Sequence, residues 1–155
     1  MKNKIFYEIA LALALASLWL VVSERIDNTS DGKSVDNKQL SKLTIGNKTI
    51  LVAVAKTEAT RAHGLSGKQN LPENSGMLFV FDQPDFYYFW MKEMNFPLDI
   101  IWLDKNKNIV DITANLATST YPNTVTSRLP AQYILELNAG WAEQNQLKIG
   151  DKASF

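Results

Sequence analysis

Apolar positions along this chain follow two different rhythms. Ile9 to Val22 form one unbroken run of apolar or small residues, whereas beyond residue 41 apolar residues come in short alternating bursts between polar turns. Lys42–Thr57 alternates on both sides of Gly46-Asn47, which predicts a β-hairpin. Thr57 as N-cap and Gly64 as stop predict a short helix over Glu58–His63. Thr60 stands where a capping box would carry Glu or Gln, so that cap reads as incomplete. Met77–Phe81 predicts a strand, Asp82–Asp85 a break, and Phe86–Met91 an aromatic strand. Leu98–Asp104, Ile109–Leu116 and Tyr133–Asn138 predict further strands. The tight turn Lys105–Asn108 separates the first two, and a polar loop over residues 117–130 precedes the third. A short helix is expected within Ala139–Leu147. About seven or eight strands with turn signals roughly every ten residues suit a mainly β domain. A compact sandwich or barrel with one or two short helices is expected.

The N-terminal run changes the picture of where this domain works. Lys2 and Lys4 precede it, the arrangement of a signal peptide or an uncleaved signal anchor over residues 1–25. The run is shorter than the roughly twenty residues that span a bilayer, and extending it back to residue 5 reaches that length. The membrane is therefore an expected partner through residues 5–22. The rest of the chain is expected to be exported, either anchored to the cytoplasmic membrane or released. Residues 26–41 are rich in Asp, Asn, Ser, Lys and Gly and read as a flexible spacer. Residues 42–155 are left as a single β domain.

Composition narrows the functional classes. The chain has 155 residues, 46% hydrophobic and 21% charged, which is ordinary for a globular domain. Sixteen basic residues face sixteen acidic ones, so no basic field exists to draw in nucleic acid. Cysteine is absent and His63 is the only histidine, so neither a disulfide framework nor a typical zinc site is expected. His63 reads as an exposed residue at a helix end. No phosphate-cradling glycine loop is present, and no cofactor is expected.

Two carboxylates stand out because their neighbours are apolar. Alternation places Asp99 on one strand face with Ile101 and Leu103, opposite Leu98, Ile100 and Trp102. Both faces are apolar, so the strand reads as covered on both sides. Glu136 shares its face with Ile134 and Asn138. Buried carboxylates need partners or a wet pocket, and Arg61 and Lys92 are the natural cations. Arg61, Asp99 and Glu136 are therefore expected to converge on one polar cleft with Lys92, beside Phe89 and Trp90. Two carboxylates roughly 5 to 10 Å apart would support glycoside chemistry, whereas an arginine between them would make an ion-pair network. In the run Phe86–Trp90, alternation gives Phe86, Tyr88 and Trp90 one face and Tyr87 and Phe89 the other. Such a run packs a core or forms a stacking platform for sugars or peptide.

The ordered stretches GMLFVF, FWMK, PLDIIWLD, LELNAG and a terminal GD resemble the domain of unknown function 192 family over roughly Leu43 to Phe155. The resemblance implies a jelly-roll-like, mainly β domain that is often exported, and it implies no established reaction. Matching positions are Arg61, Gly64, Leu65, Gly76, Met77, Trp90, Met91, Lys92, Pro97, Asp99, Glu136, Gly140 and Asp151. The chain departs from the family pattern at Ser66, where methionine is expected, and at Glu93-Met94, where Asn-Thr is expected. The expected function is a binding module for a small ligand, glycan or protein partner at the outer face of the membrane. The alternatives are a hydrolase or lyase on envelope glycans through Asp99 and Glu136, or a structural accessory domain. The absence of a recognisable nucleophile or metal set weighs against catalysis.

Overall fold

A computed structural model describes residues 40–155 of the chain. The expected signal or anchor over residues 1–25 and nearly all of the spacer lie outside the described residues. Nine strands form among the described residues: β1 (Ser41–Ile45), β2 (Lys48–Ala55), β3 (Ser75–Asp85), β4 (Phe89–Trp90), β5 (Leu98–Leu103), β6 (Ile109–Leu116), β7 (Thr124–Val125), β8 (Ala131–Asn138) and β9 (Ala153–Ser154). Two short helices, α1 (Glu58–His63) and α2 (Trp141–Gln144), accompany them. Seven strands make one curled sheet in the order β6-β5-β8-β3-β2-β1-β9, and β4 pairs with β7 as a separate ribbon. The domain is mainly β with two short helices, as expected, and its curled sheet forms a half-barrel.

The β1–β2 hairpin turns at Gly46, whose φ of 58° is the left-handed conformation glycine tolerates. β2 and β3 run parallel, which demands a crossover, and residues 56–74 with α1 provide it. The cap of α1 is complete after all. Thr57 Oγ1 accepts the Thr60 N–H at 3.2 Å, and Thr60 Oγ1 accepts the Thr57 N–H at 3.0 Å. A threonine hydroxyl thus does what a longer Glu or Gln usually does. Gly64 ends the helix by donating its N–H to the Thr60 carbonyl.

β3 runs on through Asp82–Asp85 instead of breaking there. Its pairing with β8 shifts register between Val80 and Asp85, and Pro84 falls inside that irregular stretch, where a missing N–H is tolerated. The aromatic run shortens to β4, with only Phe89 and Trp90 paired to β7. The loop expected over residues 117–130 contains β7 and is tied down at its end. Arg128 donates to Asp111 from its main-chain N–H and twice from its guanidinium. Burial alone would push the Asp111 carboxyl up, but these bonds and the Ile112 N–H outweigh it and hold it below its ordinary value.

Alternation gives the sheet two apolar faces. One carries Ile50, Val52, Leu78, Ile101, Leu103, Leu135 and Leu137 and is covered by Trp141 and Ala142 of α2. The other carries Ala53, Met77, Phe79, Ile100, Trp102 and Ile134 and is covered by Leu65, Met91 and the ribbon. Close packing of β3 against β8 depends on Gly76. A Cβ there would meet the Glu136 carbonyl oxygen at 2.7 Å and Leu137 Cδ2 at 2.8 Å. Gly76→Ala is expected to destabilise the fold by about 2 kcal/mol, because main chain cannot yield as a side chain can. Urea denaturation followed by tryptophan fluorescence measures this, and an unchanged midpoint would show that β3 can move aside.

Candidate functional site

A cleft of about 290 Å³ opens over the second apolar face, between the α1 crossover and the ribbon. Its floor includes Phe79 of β3 and Glu136 of β8. Phe89 packs edge-on against Phe79, with ring centroids 4.9 Å apart, and against Trp102 at 5.5 Å. Tyr87 stacks on Phe81 and donates its hydroxyl to the Gln83 carbonyl. Burial and then the nearby Asp85 charge raise the Tyr87 phenol above its ordinary value. The alternation read along Phe86–Trp90 therefore holds. Tyr87 and Phe89 turn inward, while Tyr88 and Trp90, 70% and 52% exposed, stand at the rim. Trp90 and Tyr121 of the following loop pair edge-on at 6.1 Å.

Four of the five expected cleft residues, Arg61, Trp90, Lys92 and Glu136, line this cleft. Asp99 does not. In the β5–β8 pairing Asp99 stands opposite Leu137 and Ile100 opposite Glu136, so the two carboxylates project from opposite faces of the sheet. Asp99 is fully buried against α2 and accepts main-chain N–H bonds from Asn115 at 2.8 Å, Gly140 at 3.1 Å and Ala142 at 2.8 Å. It is a structural tie that caps α2 and fixes the end of β6. The two-carboxylate geometry of a glycosidase, which needs both acids at one cleft, is not formed.

Arg61 pairs with neither acid. Its Nη1 donates to the Lys56 and Val80 carbonyls, and its guanidinium lies 4.7 Å from the Phe81 ring centroid. The guanidinium thus joins the start of α1 to β3 and builds the cleft wall. The expected Arg61 ion-pair network is absent among the described residues, where the salt bridges are Arg128–Asp111 and Lys148–Asp151.

Glu136 is left in an unusual state. It is 6% exposed, and Oε2 has no hydrogen-bond partner among the described residues. Burial pushes its carboxyl from 4.5 up to about 8, so it is largely protonated at neutral pH. His63, read from sequence as a plain helix-end residue, is exposed and also lines the cleft. Only its chain proximity to Arg61 could have signalled this.

The two departures from the family pattern prove to be neighbours. Ser66 donates its hydroxyl to the Lys92 carbonyl, and the Gly67 N–H donates to the Glu93 carbonyl. Glu93 adopts φ of 57°, a conformation that Asn tolerates better than Glu. Ser66 and Met94 both line the cleft, so the departures alter its wall.

The chain matches the domain of unknown function 192 family, described as uncharacterised ACR, over residues 41–155, and belongs to it. No functionally curated protein matches the chain. A protein of unknown function from Novosphingobium aromaticivorans has a similar crystal structure, with 29% identity and a TM-score of 0.71 over 79% of this chain and 89% of that one. A Sinorhizobium meliloti protein, provisionally assigned as a transcription regulator, is similar at 28% identity with a TM-score of 0.68, over 73% of this chain and 89% of that one.

Proposed function

We propose that the β domain is a binding module that receives a small ligand, or the projecting end of a larger partner, in the aromatic cleft. One observation carries this reading: a buried carboxyl with an unpartnered oxygen forms part of the floor of an open cleft. Native proteins satisfy nearly all buried polar atoms, and an incompletely satisfied carboxyl on a cleft-lining residue is a place for a ligand's polar group. The aromatic walls supply apolar contact, and the exposed rim residues Tyr88 and Trp90 supply stacking surface. A lone carboxyl without a second acid or nucleophile beside it suits recognition better than hydrolysis. The apolar run Ile9–Val22 supports a position outside the cytoplasm.

Screening the full-length chain against glycan fragments, short peptides and small organic acids by thermal shift tests the binding role. Ligands of the cleft are expected to raise the melting temperature. Replacing Tyr88 and Trp90 together by Ala is expected to weaken such a ligand about tenfold or more, since each ring contributes stacking. Undiminished affinity in that double variant would place the binding elsewhere. Protease added to spheroplasts tests the location; a fully protected domain would put it inside.

A further inference from the structure

We propose that the cleft selects a ligand whose inner end presents a hydrogen-bond donor and acceptor side by side, as a primary carboxamide or lactam does, and whose outer end carries a carboxylate. This rests on the reading of the cleft as a binding site and specifies what it reads.

The floor offers one polar group of a single kind. Glu136 lies mid-strand in β8, between β3 and β5, so the surrounding main-chain groups are committed to the sheet. Its cross-strand neighbours on the same face are Met77 and Ile100, both buried and apolar. Asn138, two residues along that face, turns its amide to the Leu71 and Pro72 carbonyls instead. Nothing among the described residues therefore answers Oε2. Burial keeps the carboxyl protonated at neutral pH, and a neutral carboxyl shows one O–H donor next to one C=O acceptor. A carboxamide or lactam edge satisfies both at once, and an apolar group satisfies neither.

The mouth has the opposite character. The titratable groups facing the cleft are Arg61 and His63 on α1, Tyr87 and Tyr88 before β4, Lys92 after it, and Glu136 on the floor. Among the described residues no second acid lines it. Lys92 is exposed and forms no ion pair among the described residues. A cation drawn toward Glu136 must pass these basic groups, whereas a carboxylate held among them gains from each. The aromatic walls between favour a planar body.

Four matched probes test this on the full-length chain by calorimetry at pH 6.5 and pH 9: 4-carbamoylbenzoate, its cationic isostere 4-amidinobenzoate, its apolar isostere 4-methylbenzoate, and benzamide, which lacks the carboxylate. At pH 6.5 the carbamoyl compound is expected to bind about tenfold or more tightly than each of the others. Its advantage over the amidine compound is expected to shrink or reverse at pH 9, where Glu136 has lost its donor and both oxygens only accept. Both compounds carry the same carboxylate, so that ratio reads the inner end alone. Glu136→Gln keeps a donor beside an acceptor without titrating, so the preference is expected to survive at both pH values. Glu136→Leu is expected to abolish the preference while still binding the methyl compound. A tighter amidine at pH 6.5 would overturn the proposal in favour of a cation site. Equal affinity for the carbamoyl and methyl compounds would overturn it while leaving the cleft a binding site. Failure of all four probes beside success of another ligand in the broader screen would do the same. Failure of both sets would remove the binding role itself.

Discussion

Glu136→Leu is expected to leave the protein more stable than the parent at pH 8, by roughly 3–5 kcal/mol. The parent's carboxyl is raised in the folded state from 4.5 to about 8. Between those values the folded chain holds a proton that the unfolded chain has released. Stability therefore falls as pH rises across this window, by about 1.4 kcal/mol per pH unit, and levels off above it. The sign is the reverse of the usual carboxylate case. Asp111, held low by Arg128, follows the usual case: its stabilisation is present above its ordinary value of 3.8 and fades only as pH falls below that. The two windows do not overlap, so the slope between pH 5 and pH 8 isolates Glu136. Leucine removes both the titration and the unpartnered oxygen while filling similar space among Met77, Ile100 and Ile134. Urea denaturation of parent and variant at half-unit pH steps measures the effect. Parallel curves for the two proteins would show that Glu136 is solvated or paired in solution. A destabilising group retained in a core is a common mark of a functional site, where complementarity to a ligand is kept at the expense of the fold.

How far the sequence discloses this arrangement depends on which geometric relation is asked of it. Parity along one strand is legible. The inward turn of Tyr87 and Phe89, the outward turn of Tyr88 and Trp90, and which residues of its own strand share a face with Asp99 or with Glu136 all follow from period-two alternation. Register between strands is not legible. Whether the Asp99 face coincides with the Glu136 face depends on Asp99 pairing with Leu137 rather than with Glu136, and no local residue states that. A slip of one residue would have joined the acids in one cleft. Local chemistry misleads in a second way at Asp82–Asp85. Its composition reads as a breaker, but a register irregularity absorbs Pro84 and lets β3 continue to Asp85 opposite Ala131. Arg61 shows a third limit. An arginine near two acids suggests an ion pair, but its guanidinium donates to the Lys56 and Val80 carbonyls instead. Family resemblance marks Arg61, Asp99 and Glu136 alike, although one builds the wall, one ties down a helix, and one forms part of the floor.

Asp99→Leu is expected to cost about 3–5 kcal/mol, enough to unfold much of the population of a small domain at 37 °C. The side chain is similar in size, so packing is not the reason. Three main-chain N–H groups, of Asn115, Gly140 and Ala142, would lose their acceptor, and that of Ala142 is buried away from water. Each belongs to a segment that has few alternatives. Asn115 has φ of 52° near the end of β6, and Gly140 has φ of 81° at the start of α2. α2 has only four residues, too few to persist without an external tie, and its Trp141 and Ala142 cover one face of the sheet. Loss of the carboxylate therefore loosens a lid on the core as well as three hydrogen bonds. Asp99→Asn separates charge from shape. Its Oδ1 can still accept from Asn115 and Gly140, but its amide group meets the Ala142 N–H donor to donor. It is expected to lose about 2 kcal/mol, between the parent and the leucine variant. Hydrogen exchange at Ala142 reads the same tie locally, with faster exchange expected in Asp99→Asn. Because Asp99 faces away from the cleft, folded Asp99→Asn is expected to bind cleft ligands as the parent does. An Asp99→Asn protein with unchanged stability but lost binding would return Asp99 to the functional site and overturn its assignment as a structural tie.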